Sequence, residues 1–152
     1  LRLILVAAGL AAVFVTPAVS SVRGNGPSIA GQGAVSRPSR LSPLEGHSQS
    51  EAYAINAAGE VAGWSFNSSP LIAVIWDPDG NPTELPPLPG HNESLAEDIS
   101  DAGILVGWSG GLDAPPTAVM WGRDRVPVEL PHLPGHTSSR ARDINETGIV
   151  IG

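Results

Sequence analysis

Three histidines follow a glycine at matching positions of the sequence, at His47, His91 and His136. Imidazole nitrogens are frequent zinc ligands, so three histidines that converged on one point could hold a metal ion. The alternative is that each histidine forms a hydrogen bond within its own copy of a repeated unit. Repeat architectures hold equivalent positions of successive units apart, and this separation favours the second interpretation. We therefore predict a structural role for the histidines and no metal site.

The tryptophans also recur at matching positions. Trp64 and Trp108 each follow a glycine and precede a serine, whereas Trp76 and Trp121 each end an apolar run. Exposed tryptophan rings can stack on sugars and anchor interfaces, so Trp64 and Trp108 are candidate binding residues. The alternative is that all four tryptophans pack between units, which is the usual place of large apolar residues in a repeat protein.

The carboxylates are weaker indications of a functional site. Asp113 lies close to two glycines in a segment that differs between the copies, and it is a third candidate binding residue. Asp77, Asp79 and Asn81 alternate as ligands do in calcium loops, but the later glycine and the distal glutamate of such loops are absent. The sequence contains no glycine-rich phosphate loop and no nucleophile elbow. We predict no cofactor and no catalytic residue.

The elements that position these residues belong to a repeat. Gly46 and Gly90 are 44 residues apart, and Gly90 and Gly135 are 45 residues apart. Apolar, glycine and histidine positions keep this register together, which chance matches would not do. We interpret residues 44–152 as two full units and one truncated unit.

Turn residues divide each unit into short runs. Asn56 and Gly59 suit a tight turn, because an asparagine side chain can bond a nearby backbone amide and glycine accepts a positive φ. A second turn, at residues 77–80, follows an apolar run at residues 71–76. We therefore predict four antiparallel strands per unit, with a helix over residues 94–102 as the alternative.

A period of about 44 residues with four strands is typical of one β-propeller blade. The sequence thus predicts an all-β fold of repeated four-stranded antiparallel units, arranged as a partial propeller-like array. Two and a half units are too few for a closed ring. We expect the chain either to be part of a longer protein or to associate with other copies and so complete the array.

A long apolar run precedes the repeats. Residues 3–15 are apolar, and the small residues Ala18 and Ser20 offer a cleavage site. We predict that residues 1–20 form a helical signal peptide that is removed, with an uncleaved membrane anchor as the alternative. Residues 21–43 are rich in glycine, serine and proline, and we predict a disordered, flexible linker there.

The charge distribution excludes two classes of partner. The formal net charge is −7, and all fifteen acidic residues lie from Glu45 onward with only four of the eight arginines. An acidic surface repels nucleic acid and anionic lipid, so we predict neither as a partner, and membrane contact only through an uncleaved anchor. The chain has no cysteine, so neither disulfides nor thiolate metal sites stabilise the fold.

Residues 44–152 resemble the HAF repeat of bacterial extracellular proteins. The resemblance is carried by a leucine- and glycine-rich segment, Ser-x-Ala, an isoleucine, a glycine and a Val-Gly pair, as in residues 88–107. The His-Ala-Phe tripeptide of the family is replaced by Ile-Ala-Val at residues 72–74 and by Thr-Ala-Val at residues 117–119, each leading to a tryptophan. The resemblance implies secretion, repetition and a propeller-like β fold, and it implies no particular reaction.

These observations favour a secreted or cell-surface repeat protein that acts as a non-catalytic binding scaffold. Its partner would be an extracellular glycan or protein. The alternative is that the repeats form the propeller part of a secreted hydrolase or lyase that acts on polysaccharide.

Overall fold

The computed structural model describes residues 40–152, which form antiparallel β-sheets without a helix. The all-β prediction is confirmed for this part of the chain. The predicted signal peptide at residues 1–20 and residues 21–39 of the predicted linker lie outside the described residues. The strands are β1 (Gln49–Ile55), β2 (Val61–Phe66), β3 (Leu71–Trp76), β4 (Pro82–Leu85), β5 (Glu93–Ile99), β6 (Leu105–Gly110), β7 (Thr117–Trp121), β8 (Pro127–Glu129), β9 (Asp143–Ile144) and β10 (Val150–Ile151).

The strands form two four-stranded sheets and a two-stranded sheet. The first sheet has the order β1-β2-β3-β4, the second β5-β6-β7-β8, and the third pairs β9 with β10. A strand at Glu93–Ile99 occupies most of the segment for which a helix was the alternative, so the helix is wrong. Residues 40–152 form no closed ring of sheets.

The turn chemistry follows the sequence. In the β1–β2 turn the Asn56 side-chain oxygen accepts the Glu60 amide at 2.9 Å, and Gly59 has a φ of 87°. In the β5–β6 turn the Ser100 hydroxyl accepts the Ile104 amide in the same way at 3.3 Å. The first position of this turn therefore requires a side chain that can accept a hydrogen bond from a backbone amide of the same turn.

The β3–β4 turn is capped by a carboxylate. Asp77 Oδ1 accepts the amides of Asp79 and Asn81, and its Oδ2 accepts the Asn81 side-chain amide. These hydrogen bonds, that of the Asn81 side chain above all, lower the pKa of Asp77 below its ordinary value. The alternation of acids here is explained by a turn, because the turn already uses both carboxylate oxygens.

An apolar layer joins the first sheet to the second. β2 and β3 contribute Ala62, Ala73 and Ile75, which meet residues of the second sheet and of the segment that leads into it. The layer contains the buried side chains of Ala62, Ala73, Ile75, Leu85, Leu88, Ala96, Ile99, Leu105, Val119 and Trp121. A smaller apolar cluster joins the second sheet to β9 in the same way.

A tryptophan holds the segment that precedes each four-stranded sheet. The Trp121 indole N–H donates to the carbonyl of Pro86 at 2.8 Å, and Trp76 donates to Ser42 at 2.7 Å. Leu41 is buried in a cluster with Trp76. Leu41 and Ser42 fall within the predicted linker, and both contact the first sheet.

Truncation of Trp121 tests this packing. The side chain is fully buried, so we expect Trp121→Ala to lower the free energy of unfolding by about 3–5 kcal/mol. Trp121→Phe retains most of the apolar volume but loses the hydrogen bond to the exposed Pro86, a net cost of about 0.5–1.5 kcal/mol.

Urea unfolding followed by circular dichroism measures both effects. Val128→Ala is the control, because Val128 is exposed and its truncation should change the free energy by less than about 0.5 kcal/mol. A Trp121→Ala variant as stable as the Val128→Ala variant would contradict the role of Trp121.

Candidate functional site

Two of the three repeated histidines bond a serine of their own sheet. The ring Nδ1 of His47 lies 2.9 Å from Ser65 Oγ, and that of His91 lies 3.1 Å from Ser109 Oγ. His136 is exposed, and its amide bonds the Leu133 carbonyl. Among residues 40–152 no three histidine or carboxylate side chains lie close enough together to hold a metal ion.

Each of these serines has three partners. Ser109 Oγ donates to the Glu93 carbonyl at 3.1 Å and accepts the Leu88 amide at 3.0 Å. A hydroxyl has one hydrogen to donate, so the His91 contact requires that the Nδ1 of His91 carries the proton and donates. Ser65 binds Gln49, Leu44 and His47 in the same arrangement. The histidine therefore fastens the incoming segment to its sheet.

Removal of the serine hydroxyl tests this role. Ser109 is fully buried, so Ser109→Ala leaves the Leu88 amide and the Glu93 carbonyl without a partner. We expect a loss of about 1–3 kcal/mol in the free energy of unfolding, measured by urea titration. The exposed Ser138→Ala variant is the control, and equal stability of the two variants would refute the assignment.

Trp64 lies within an exposed group of aromatic side chains. Its indole N–H donates to the Tyr53 hydroxyl at 3.2 Å. Its ring meets Phe66 edge to face, with the centroids 6.3 Å apart and the planes at 84°. Tyr53 is 45% exposed, and Trp64 and Phe66 are half-buried. We call Tyr53, Trp64 and Phe66 the aromatic cluster.

Tyr53 lies at a β-bulge of β1. Ala52 pairs with Gly63 and Ala54 pairs with Ala62, so Tyr53 has no partner on β2. A bulge inserts one residue and re-aims its side chain. The second sheet has the same bulge at Glu97. Tyr53 was not among the candidates from the sequence, although comparison of the copies could have found it because the residue type changes there.

Trp108 has different surroundings. The Arg140 guanidinium carbon lies 4.7 Å from the centre of its ring, a cation–π contact that covers one ring face. Glu97 and Gly110 stand at the positions that Tyr53 and Phe66 occupy in the first sheet. The two candidate tryptophans thus share a position in the repeat, but Trp64 alone belongs to an aromatic group.

Asp113, the third candidate, is exposed in the connection between β6 and β7. No hydrogen bond or ion pair of its side chain is present within the described part of the chain. The aromatic cluster lies on β1 and β2, so Asp113 belongs to a different sheet.

Carboxylates at and beside the second bulge connect β5 to β9. Glu97 pairs with Arg142 at 2.8 Å, and Asp98 Oδ2 accepts the Ile144 amide at 2.8 Å. Hydrogen bonding with Asp98 and the negative charge of Asp98 raise the pKa of Asp143.

The Asp98–Asp143 contact predicts a pH dependence. A raised pKa means that the fold favours protonated Asp143, so its contribution to stability is present at low pH and is lost as the pH rises through that pKa. Above that pKa the negative charge of Asp143 is repelled by the negative charge of Asp98. We expect Asp143→Asn to melt at a higher temperature than the wild type at pH 7, and the difference to shrink toward about pH 3.

Thermal melts by circular dichroism across this pH range measure the effect. Asp113→Asn is the control, because it removes the same charge at an exposed position without a bonded partner among the described residues. A lower melting temperature for Asp143→Asn at pH 7 would show that the charged pair stabilises the junction, contrary to our expectation.

Comparisons with protein-family models, curated proteins and solved structures find no match to this chain. Over residues 40–152 the chain has no helix that is long and apolar enough to cross a membrane. The site is therefore assigned from its own geometry, and the aromatic cluster is the strongest candidate.

Proposed function

We propose that the chain is a secreted or cell-surface protein that acts as a non-catalytic binding scaffold, with the aromatic cluster as its contact surface. The observation that carries this proposal is the arrangement of Trp64 between Tyr53 and Phe66, at a hydrogen-bond distance from one and edge to face with the other. Both contacts hold the indole in place before a ligand arrives. A preorganised aromatic surface loses little conformational freedom on binding.

The propeller-like repeat is part of the same proposal. Support comes from the two four-stranded sheets, which have the same strand order and a bulge at the same place. The serine–histidine contacts recur at Ser65 and Ser109, and successive sheets share an apolar layer. We propose that these sheets are blades of a HAF-like array that a signal peptide directs out of the cell.

The chemistry of the cluster favours a neutral glycan as the ligand. Aromatic rings stack on the apolar faces of sugars, and hydroxyl and indole groups at the ring edges supply hydrogen bonds. The chain has a net charge of −7, which disfavours anionic polysaccharides. A protein partner that presents a proline or an aliphatic side chain is the other occupant that such a surface accepts.

A glycan array probed with the wild type and with two variants tests the proposal. We expect Trp64→Ala to weaken binding of the recognised glycan by about tenfold, the loss of roughly one stacking contact. Trp108→Ala is the matched control, because it removes the same side chain from the same position of the second sheet, where Arg140 covers the ring.

The control separates binding from folding. We expect Trp108→Ala to bind as the wild type does. If Trp64→Ala and Trp108→Ala weakened glycan binding equally, the loss would come from a change in the fold, and the aromatic cluster would not be the binding site. Tyr53→Ala gives a second test with little effect on the core, because Tyr53 lies outside the buried clusters.

A further inference from the structure

A carboxylate lies beside the aromatic cluster. Glu51 on β1 pairs directly with Trp64 on β2, and Gln49 pairs directly with Phe66. Residues that lie directly opposite each other on antiparallel strands project from the same face of the sheet, with their Cβ atoms about 5 Å apart. Trp64 therefore has an acidic side chain as its nearest neighbour on β1.

This carboxylate is not part of an ion pair. In the described part of the chain the ion pairs join Glu60 to Arg125 and Glu97 to Arg142. Glu51 is half-buried, so part of its surface is withdrawn from water. An ionised carboxylate accepts hydrogen bonds at both oxygens and donates none. A ligand that binds beside Trp64 and brings hydroxyl groups would therefore meet an acceptor that no arginine occupies.

The second sheet has a different residue at this position. There Leu95 pairs directly with Trp108, and Leu95 is 7% exposed. The two sheets thus carry a tryptophan at the same register position, with a carboxylate opposite one and a buried leucine opposite the other. The carboxylate belongs to the sheet that has the aromatic cluster, and the repeated unit also accommodates leucine in its place.

We propose that Glu51 is the specificity-determining residue of the aromatic cluster, and that its carboxylate accepts hydrogen bonds from hydroxyl groups of a neutral glycan stacked on Trp64. This inference rests on the binding function proposed above and defines which glycans the cluster selects. A sugar that stacks through its apolar face carries hydroxyl groups at its edge, where the carboxylate of the neighbouring strand lies. Hydrogen bonds to an ionised acceptor are stronger than those between neutral groups. Sugars that lack the contacted hydroxyl are bound weakly, because the carboxylate then loses its partner.

An array of neutral oligosaccharides, each printed in its native form and as its monodeoxy analogues, tests the proposal. We expect the wild type to bind one deoxy analogue of the recognised glycan about tenfold more weakly than the native form. Glu51→Leu should bind the native form about tenfold more weakly than the wild type does, and should bind the native and deoxy forms equally.

The second sheet supplies the reason for this substitution. Because leucine already lies opposite tryptophan there, we expect Glu51→Leu to leave the circular dichroism spectrum unchanged. Glu84→Leu is the matched control: it removes the same charge from an exposed position on β4 of the same sheet, where Glu84 pairs with Val74. This control should bind both forms of the glycan as the wild type does.

The possible failures of this inference and of the proposed function are distinct. If Trp64→Ala lost binding and Glu51→Leu did not, the aromatic cluster would remain the binding site and the role of Glu51 would be overturned. The role would also be overturned if Glu51→Leu still preferred the native glycan to its deoxy analogue, or if Glu84→Leu lost as much binding. A wild-type chain that bound no glycan, or a Trp64→Ala variant that bound as the wild type does, would overturn the proposed function as well.

Discussion

The apolar layer between successive sheets is the interaction on which the rest of the structure depends. Each sheet has two apolar faces, and a sheet cannot cover its own faces. Ala62 and Ala73 of the first sheet are buried in one apolar cluster with Ile99 and Leu105 of the second sheet. Stability in such an array comes from neighbouring units, so the junctions between sheets matter as much as the sheets.

Polar groups that are buried at these junctions keep hydrogen-bond partners. The hydroxyl of Ser94 accepts the Ala73 amide of the preceding sheet and donates to the Leu85 carbonyl. The turns are bonded to one another as well, since Asp101 accepts the Ala57 amide and Glu146 accepts the Asp101 amide. No buried side-chain nitrogen or oxygen of the described residues lacks a partner. An unpaired buried group would cost about 1–3 kcal/mol, so this pairing is what allows close stacking of the sheets.

At the bulge, some positions have the same residue in both four-stranded sheets and others have different residues. Gly63 and Gly107 lie opposite it, where a Cβ would clash with the carbonyl oxygens of Glu51 and Leu95. The extra residue of the bulge is not limited to glycine in this way, because it has no partner on the neighbouring strand. Tyr53 and Glu97 accordingly differ in chemistry on the same backbone, and one contributes to an aromatic surface while the other forms an ion pair.

The sequence by itself predicted the strand class and the turn positions, because these follow from local chemistry. Asn56 and Gly59 favour their turn by their own chemistry, and the tight spacing of turns leaves room only for strands. The sequence also shows where one turn differs. Arg125 occupies the position in the β7–β8 turn that Gly80 occupies in the β3–β4 turn, and it has a positive φ of 62°. There its side chain meets Glu60 of the first sheet at 3.5 Å.

Only the tertiary structure decided which side chains meet across the copies. The partners Glu97 and Arg142, and Trp108 and Arg140, lie on different units, and no local pattern specifies how far one sheet is offset against the next. Tyr53 reaches Trp64 from the bulge of β1, at a position without a partner on β2. Local chemistry determines the strands and turns, and the offset between sheets determines which side chains form the site.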